Sequence, residues 1–244
     1  EQNFIHVPTD TSKRETLNGV PHEHIFSLSQ DSKGRIWVAT WSSLVYTYDG
    51  ITFHKPKFAS KSNYPIDYIN KVVEGKDGTL WIGLFDSGLL KYDEKKDTLI
   101  HYASIRVEGR YDFPKDILSI TEDPVSGDIW LGTRQSGLFR FDPKTENAYS
   151  YASVTTEGAA FGANIHSQMH YKGRYWVGNS LGFFEYNREK DTFTEELGFT
   201  EDKTYYRVFS MYLDRSENLW IGTELNGSLV IDLKPKKFKS IGNH

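Results

Sequence analysis

The sequence predicts an all-β protein, a β-propeller built of four-stranded antiparallel blades. Two observations carry that reading. Five tryptophans, Trp37, Trp81, Trp130, Trp176 and Trp220, recur at spacings of 44, 49, 46 and 44 residues, and a fixed period in this range marks a repeat architecture. Each sits in the same local phrase, RIWVAT, TLWIGL, DIWLGT, RYWVGN or NLWIGT, whose β-branched and aromatic residues suit a strand. The expected blades span approximately 24–58, 68–104, 116–153, 164–197 and 207–241, within a single propeller segment of residues 1–244.

The four strands of a repeat follow in a fixed order. First comes an alternating stretch such as Ile25-Phe26-Ser27-Leu28-Ser29 or Ile117-Leu118-Ser119-Ile120-Thr121. A turn follows, with Asp31 ahead of Gly34, Asp77 ahead of Gly78 and Asp123 ahead of Gly127; Gly supplies positive φ and Asp bonds back to the turn backbone. The tryptophan strand is next, and a short loop often ending in Gly (Gly88, Gly137, Gly182, Gly227) leads to a third strand. That strand closes on a turn residue, Asp49, Asp93, Asp142, Asn187 or Asp232. A more polar fourth strand lies around Phe53, Leu99, Tyr149, Phe193 and Phe238. Four antiparallel strands on short turns make one blade. The tryptophans are read as apolar fillers between blades, each indole N–H bonded locally.

The repeats are imperfect. Glu217 stands where the turn Gly of the fifth repeat is expected, with Asn218 read as the left-handed residue. Leu44 replaces the loop Gly in the first repeat, and His170 stands in the fourth where others carry an acid. The ends are also unbalanced. Residues 3–7, with Phe4-Ile5-His6-Val7, resemble the outer strand Leu99-Ile100-His101-Tyr102, while Lys237 to Ile241 supplies an outer strand of its own. One strand is surplus. The chain is therefore either five-bladed, with a terminal strand displaced, or a fragment of a larger, seven-bladed ring. Seven blades would need on the order of 300 residues or more. An open ring would expose blade faces and invite self-association.

These residues carry a resemblance. Ile-x-Ser-Leu-x-x-Asp at 25 to 31, Gly34, Ile36-Trp37-Val38-Ala39-Thr40 and Tyr48-Asp49, with counterparts in the other repeats, resemble the two-component regulator propeller repeat of bacterial hybrid histidine kinases, especially in gut Bacteroidetes. The resemblance covers essentially the whole chain. It implies a periplasmic ligand-sensing module whose kinase activity lies elsewhere, and it implies no enzyme activity and no cofactor for this segment. The motif residues build the blade and do not touch a ligand.

Composition agrees with a β-domain. The chain has 244 residues, 38% apolar and 15% aromatic, enough to build a core. It has no Cys, which excludes disulfides and thiolate metal sites. Net charge is −4 with both signs interspersed, so no nucleic-acid or anionic-membrane footprint appears. The apolar runs are strand-length, so no membrane contact is expected within the segment. No signal peptide is legible before Glu1, and a leader is expected to have been removed or left out.

Motifs for chemistry are scarce. His22 and His24 form a His-x-His pair without a third ligand nearby in sequence, and no metal site is expected. His166 and His170 frame a first strand near the channel. No nucleophile elbow, phosphate loop or Cys-x-x-Cys is present.

Recognition residues concentrate instead in loops expected to crown one axial face. The second-to-third loops hold Trp41, Phe85, Asp86, Arg134, Gln135, Asn179, Glu224 and Asn226, and the fourth-to-first loops add Tyr64, Tyr68, Tyr111, Tyr205 and Arg207. Aromatic platforms interleaved with planar polar groups suit an oligosaccharide, whose C–H faces stack on rings while its hydroxyls are chelated. The leading expectation is a non-enzymatic sensor that binds a glycan or other small molecule. A protein-interaction scaffold is the alternative, and a propeller lyase, drawing on His22, His24 or His166, stands third.

Overall fold

The computed structural model describes residues 25–40, 45–60, 68–107, 110–112, 114, 116–151, 164–197 and 206–234. It shows an all-β propeller of five blades. The first blade holds β1 (Ile25–Gln30), β2 (Ile36–Thr40), β3 (Val45–Tyr48) and β4 (Phe53–His54). The second holds β5 (Ile69–Glu74), β6 (Leu80–Leu84), β7 (Leu89–Asp93) and β8 (Thr98–Tyr102). A hairpin follows, β9 (Ile105–Val107) and β10 (Arg110–Asp112), before the third blade, β11 (Ile117–Glu122), β12 (Ile129–Thr133), β13 (Leu138–Asp142) and β14 (Asn147–Ser150). The fourth holds β15 (Ile165–Tyr171), β16 (Arg174–Asn179), β17 (Gly182–Asn187) and β18 (Thr192–Leu197). The fifth holds β19 (Val208–Leu213), β20 (Asn218–Thr223) and β21 (Ser228–Asp232). The proposed strands at 3–7 and at Lys237 to Ile241 lie outside the described residues, as do Leu44, His22 and His24.

The hairpin departs from the sequence expectation. β9 pairs parallel with β14, so the third sheet runs β10-β9-β14-β13-β12-β11. Tyr111 therefore lies on the outermost strand of that sheet, at the far side from inner strand β11, and not among axial loops. Continuing blade two into the outer edge of blade three covers that edge.

The tryptophan strands are anchored as the turn acids dictate. Trp37 donates its indole N–H to Asp31 Oδ2 at 2.8 Å, Trp130 to Asp123 Oδ2 at 3.4 Å and Trp220 to Asp214 Oδ2 at 2.9 Å. Each acid also accepts turn amides, as Asp123 does from Val125 N at 2.8 Å. In blade two Gly75 occupies the place of Asp31, and Asp77 sits inside the turn, accepting from Thr79 N at 2.8 Å. Blade five corrects one expectation. Glu217 itself takes φ 59°, because its amide closes the turn on the Asp214 carbonyl at 3.1 Å while Asn218 already pairs with Asp232 as the first residue of β20.

Every inner strand carries a bulge at the same place. Against the tryptophan strand, the register slips between Ile25 and Ser27, Ile69 and Lys71, Ile117 and Ser119, Ile165 and Ser167, and Val208 and Ser210. Phe26, Asn70, Leu118, His166 and Phe209 are the extra residues. A bulge bends its strand and re-aims the extra side chain, here on the strands nearest the axis.

Blades are joined face to face. Four of the tryptophans pack on the inner strand of the following blade: Trp37 with Ile69 and Val72, Trp81 with Ile117 and Ile120, Trp130 with Ile165, and Trp176 with Val208. Glycines opposite the bulges permit the approach. A Cβ on Gly83 would lie 2.7 Å from Ile117 Cγ2, on Gly132 2.6 Å from Ile165 Cγ2, and on Gly178 2.3 Å from Val208 Cγ1. Polar ties reinforce the seams, such as Ser29 Oγ to the Val72 carbonyl at 2.6 Å and Arg188 to Asp123 at 2.7 Å.

Among the described residues, the two ends of this series are more exposed than its middle. Inner strands pack in the order β1, β5, β11, β15, β19, and among the described residues no packing of like extent joins β19 to β1. Trp220 is 43% exposed, and Ile25 and Leu28 are 54% and 60% exposed, whereas Trp81, Trp130, Trp176, Ile69, Val72, Ile117, Ile120 and Ile165 are buried.

Candidate functional site

In four blades one backbone hydrogen bond ties the two loops of the axial face. The residue after the tryptophan strand donates its amide to the carbonyl of the residue before the inner strand: Phe85 to Tyr68 at 2.9 Å, Arg134 to Asp116 at 3.0 Å, Ser180 to Asn164 at 3.2 Å and Glu224 to Arg207 at 2.9 Å. Each blade thereby presents a side-chain pair at one end of its inner strand. Tyr68 and Phe85 lie with ring centroids 6.1 Å apart. Arg134 Nε stands 3.5 Å from Asp116 Oδ2, and Arg207 Nη1 stands 2.8 Å from Glu224 Oε2.

The bulge residues connect these pairs across blades. His166 stacks on Phe209 with centroids 4.1 Å apart and planes 19° from parallel. Together with Asn164, Ser180, Leu181, Arg207 and Glu224 they line a cleft of about 350 Å³ between blades four and five. Arg134 reaches the other way and places its guanidinium 5.6 Å from the Phe85 ring centroid. Burial, and after it the positive charge of Arg134, pushes the His166 pKa below its ordinary value, while Glu224 pulls it upward. Side chains of blades three, four and five thus act on one imidazole, which is neutral at pH 7.

The structure sorts the expected site residues into groups. Tyr68, Phe85, Arg134, Arg207 and Glu224 come together on the axial face. Asp86, Gln135 and Asn226 are exposed on the same second-to-third loops. Asn179 does not belong with them. It is fully buried, and its Oδ1 accepts the amides of Leu181 at 2.8 Å and Gly182 at 3.0 Å, so it shapes the loop beneath the cleft. Trp41, Tyr64 and Tyr205 lie outside the described residues, as does the side chain of Tyr111.

Sequence reasoning missed Phe209, Asn164 and Asp116 as site members and placed His166 on a first strand near the channel. A signal was present. The frames Ile-Phe-Ser, Ile-Asn-Lys, Ile-Leu-Ser, Ile-His-Ser and Val-Phe-Ser hold their flanks nearly constant while the middle residue ranges from Phe to His. That residue is the one the register skips at the bulge, on the strand nearest the channel. Among the described residues no group of three His, Asp or Glu stands close enough to hold a metal ion, and no helix is long and apolar enough to cross a membrane.

Repeated four-stranded blades joined through tryptophan faces, with bulged inner strands and a cleft at one axial end, define a β-propeller with a loop-built site. Residues 19–42 match the family described as two component regulator propeller. The extracellular domain of a hybrid two component system from B. thetaiotaomicron has a similar fold, with 21% identity, a TM-score of 0.54, and coverage of 86% of this chain and 34% of that one. So does PorZ, a surface component of the type-IX secretion system of Porphyromonas gingivalis, with 17% identity, a TM-score of 0.59, and coverage of 86% and 32%. A catalytically inactive virginiamycin B lyase from Staphylococcus aureus, with quinupristin, is 12% identical with a TM-score of 0.57, over 87% of this chain and 71% of that one. The chain spans about a third of the length of the first two. A search of curated proteins found none similar to it.

Proposed function

We propose that this chain is a non-enzymatic, extracytoplasmic sensor module that binds an oligosaccharide in the axial cleft and serves a two-component sensor kinase. The observation that supports the reading is the cleft between blades four and five, where the stacked rings of His166 and Phe209 lie beside the Arg207–Glu224 pair. A sugar ring has apolar C–H faces and equatorial hydroxyls. The Phe209 ring offers a stacking surface, and a planar guanidinium with a carboxylate can donate to and accept from adjacent hydroxyls. A neutral His166 adds one donor and one acceptor. The position suits signalling, because a ligand held across a blade seam favours one relative setting of the two blades over another. The extracellular sensor domain with this fold supports the periplasmic placement.

Calorimetry with a panel of plant, host and microbial oligosaccharides at millimolar concentration tests the proposal. One class should give saturable heat, and Phe209→Ala should weaken binding about tenfold, roughly 1.4 kcal/mol, as loss of a stacking platform does. No heat from any member of the panel sinks the reading.

A further inference from the structure

We infer that the inner end of the seam between blades two and three binds the carboxylate of a small ligand, with the Lys71 ammonium as its counter-ion and the Asn70 carboxamide as a hydrogen-bond donor. The repeats single out the position. Just after each bulge the inner strand carries Ser27, Lys71, Ser119, Ser167 or Ser210, opposite Ala39, Gly83, Gly132, Gly178 or Gly222. Blade two alone replaces the serine. In blade three the serine ties the seam: Ser119 Oγ donates to the Ile165 carbonyl of the next blade at 2.9 Å and accepts from Gln168 Nε2 at 2.7 Å. Lys71 stands on the same face of its own blade, since a Cβ on its cross-strand partner Gly83 would meet Ile117 and Ile120 of blade three.

Lys71 is half-buried there, and among the described residues no acid or hydrogen-bond acceptor pairs with its ammonium. A lysine is rarely buried unless paired. Burial alone pushes its pKa below the ordinary value, as happens to a charge without a counter-charge. The preceding residue repeats the pattern. Asn70 is the bulge residue of blade two, at the level where His166 and Phe209 meet in blades four and five. It is 5% exposed, and its Nδ2 has no hydrogen-bond partner, a state that costs free energy until an acceptor arrives. Two neighbouring groups thus both donate, and neither is satisfied. A carboxylate answers both: its single charge neutralises one ammonium, and its second oxygen accepts from the carboxamide. A doubly charged sulfate would leave an unbalanced charge in a half-buried site. At the axial end of this seam Asp116 is engaged by Arg134 at 3.5 Å and does not act on Lys71. The seam is not the cleft between blades four and five, and the inference stands or falls without that cleft.

Titration of the unaltered chain with acetate, D-glucuronate, D-glucose and sulfate at constant ionic strength, followed by NMR of the Lys71 side chain, tests the inference. Glucuronate should move the signal saturably and raise the Lys71 pKa, because a bound carboxylate favours the charged form. Glucose and sulfate should not. Movement by acetate as well assigns the site to carboxylates in general; movement by glucuronate alone assigns it to an acidic sugar. Lys71→Ser, which installs the residue of the other four blades, should abolish glucuronate binding in calorimetry and keep the melting temperature at or above that of the unaltered chain. Asn70→Leu, which copies the bulge residue of blade three, should weaken binding about tenfold. No movement with either carboxylate, an equal response to glucose or sulfate, or a Lys71→Ser chain that melts lower or binds glucuronate as before would overturn the inference.

Discussion

His166 and Phe209, on inner strands of neighbouring blades, stack with ring centroids 4.1 Å apart because both are bulge residues at the same level of the channel. Without the bulges, the alternation of an inner strand would leave no extra residue at that level. The candidate cleft is thus a consequence of one backbone irregularity repeated along the chain.

The convergence of three blades on His166 is testable by NMR titration of its imidazole. Arg134 holds the pKa down and Glu224 holds it up. Arg134→Ala should therefore raise the His166 pKa towards its ordinary value, and Glu224→Gln should lower it further. Substitutions that leave the titration where it was would show that the three side chains do not share a site.

His170 should impose a pH dependence on stability. It stacks on Tyr175 at 4.2 Å, and burial pushes its pKa down to about 4, with Arg188 and Lys76 acting in the same direction against Asp123. In the unfolded chain the group titrates near its ordinary value of about 6.5. Above that pH both states are neutral and the full stability is present. Between the two values only the unfolded chain binds the proton, so stability falls as pH drops through the window. Denaturant unfolding at pH 7 and pH 4.5 should show a smaller loss for His170→Phe than for the unaltered protein.

The tryptophans should differ sharply in their contribution to stability. Trp130 is fully buried among Tyr151, Tyr175, Tyr186 and Phe193, so Trp130→Ala should cost about 3–5 kcal/mol. Trp220→Ala, at a residue 43% exposed, should cost well under half of that. Equal losses in urea unfolding would contradict this difference in burial.

A paired glycine experiment probes the same boundary. Gly178→Ala would press a methyl into Val208 of the next blade, whose Cγ1 lies 2.3 Å and Cβ 3.0 Å from the new atom, costing about 1–3 kcal/mol as overpacking does. Gly222→Ala would meet Ser210 Oγ at 2.4 Å, a hydroxyl that can rotate away, and should leave the melting temperature nearly unchanged.

How much was legible in the sequence depends on the range of the interaction. Strand order, turn acids and tryptophan spacing are properties of a few dozen consecutive residues, because each blade pairs neighbouring segments through short turns. From these alone came the propeller fold, the turn positions of Asp31 and Asp123 and the expectation that each tryptophan indole bonds locally. Tertiary structure decided the rest. Asn179 is a loop-shaping residue because its carboxamide oxygen accepts two loop amides, and Tyr111 is carried off the axial face by a parallel pairing that no alternation announces. Burial of Trp176 but not Trp220, and of Ile69 but not Ile25, turns on whether another blade stands alongside. That contact joins residues a whole repeat apart, so identical local sequence meets a core in one blade and solvent in the next.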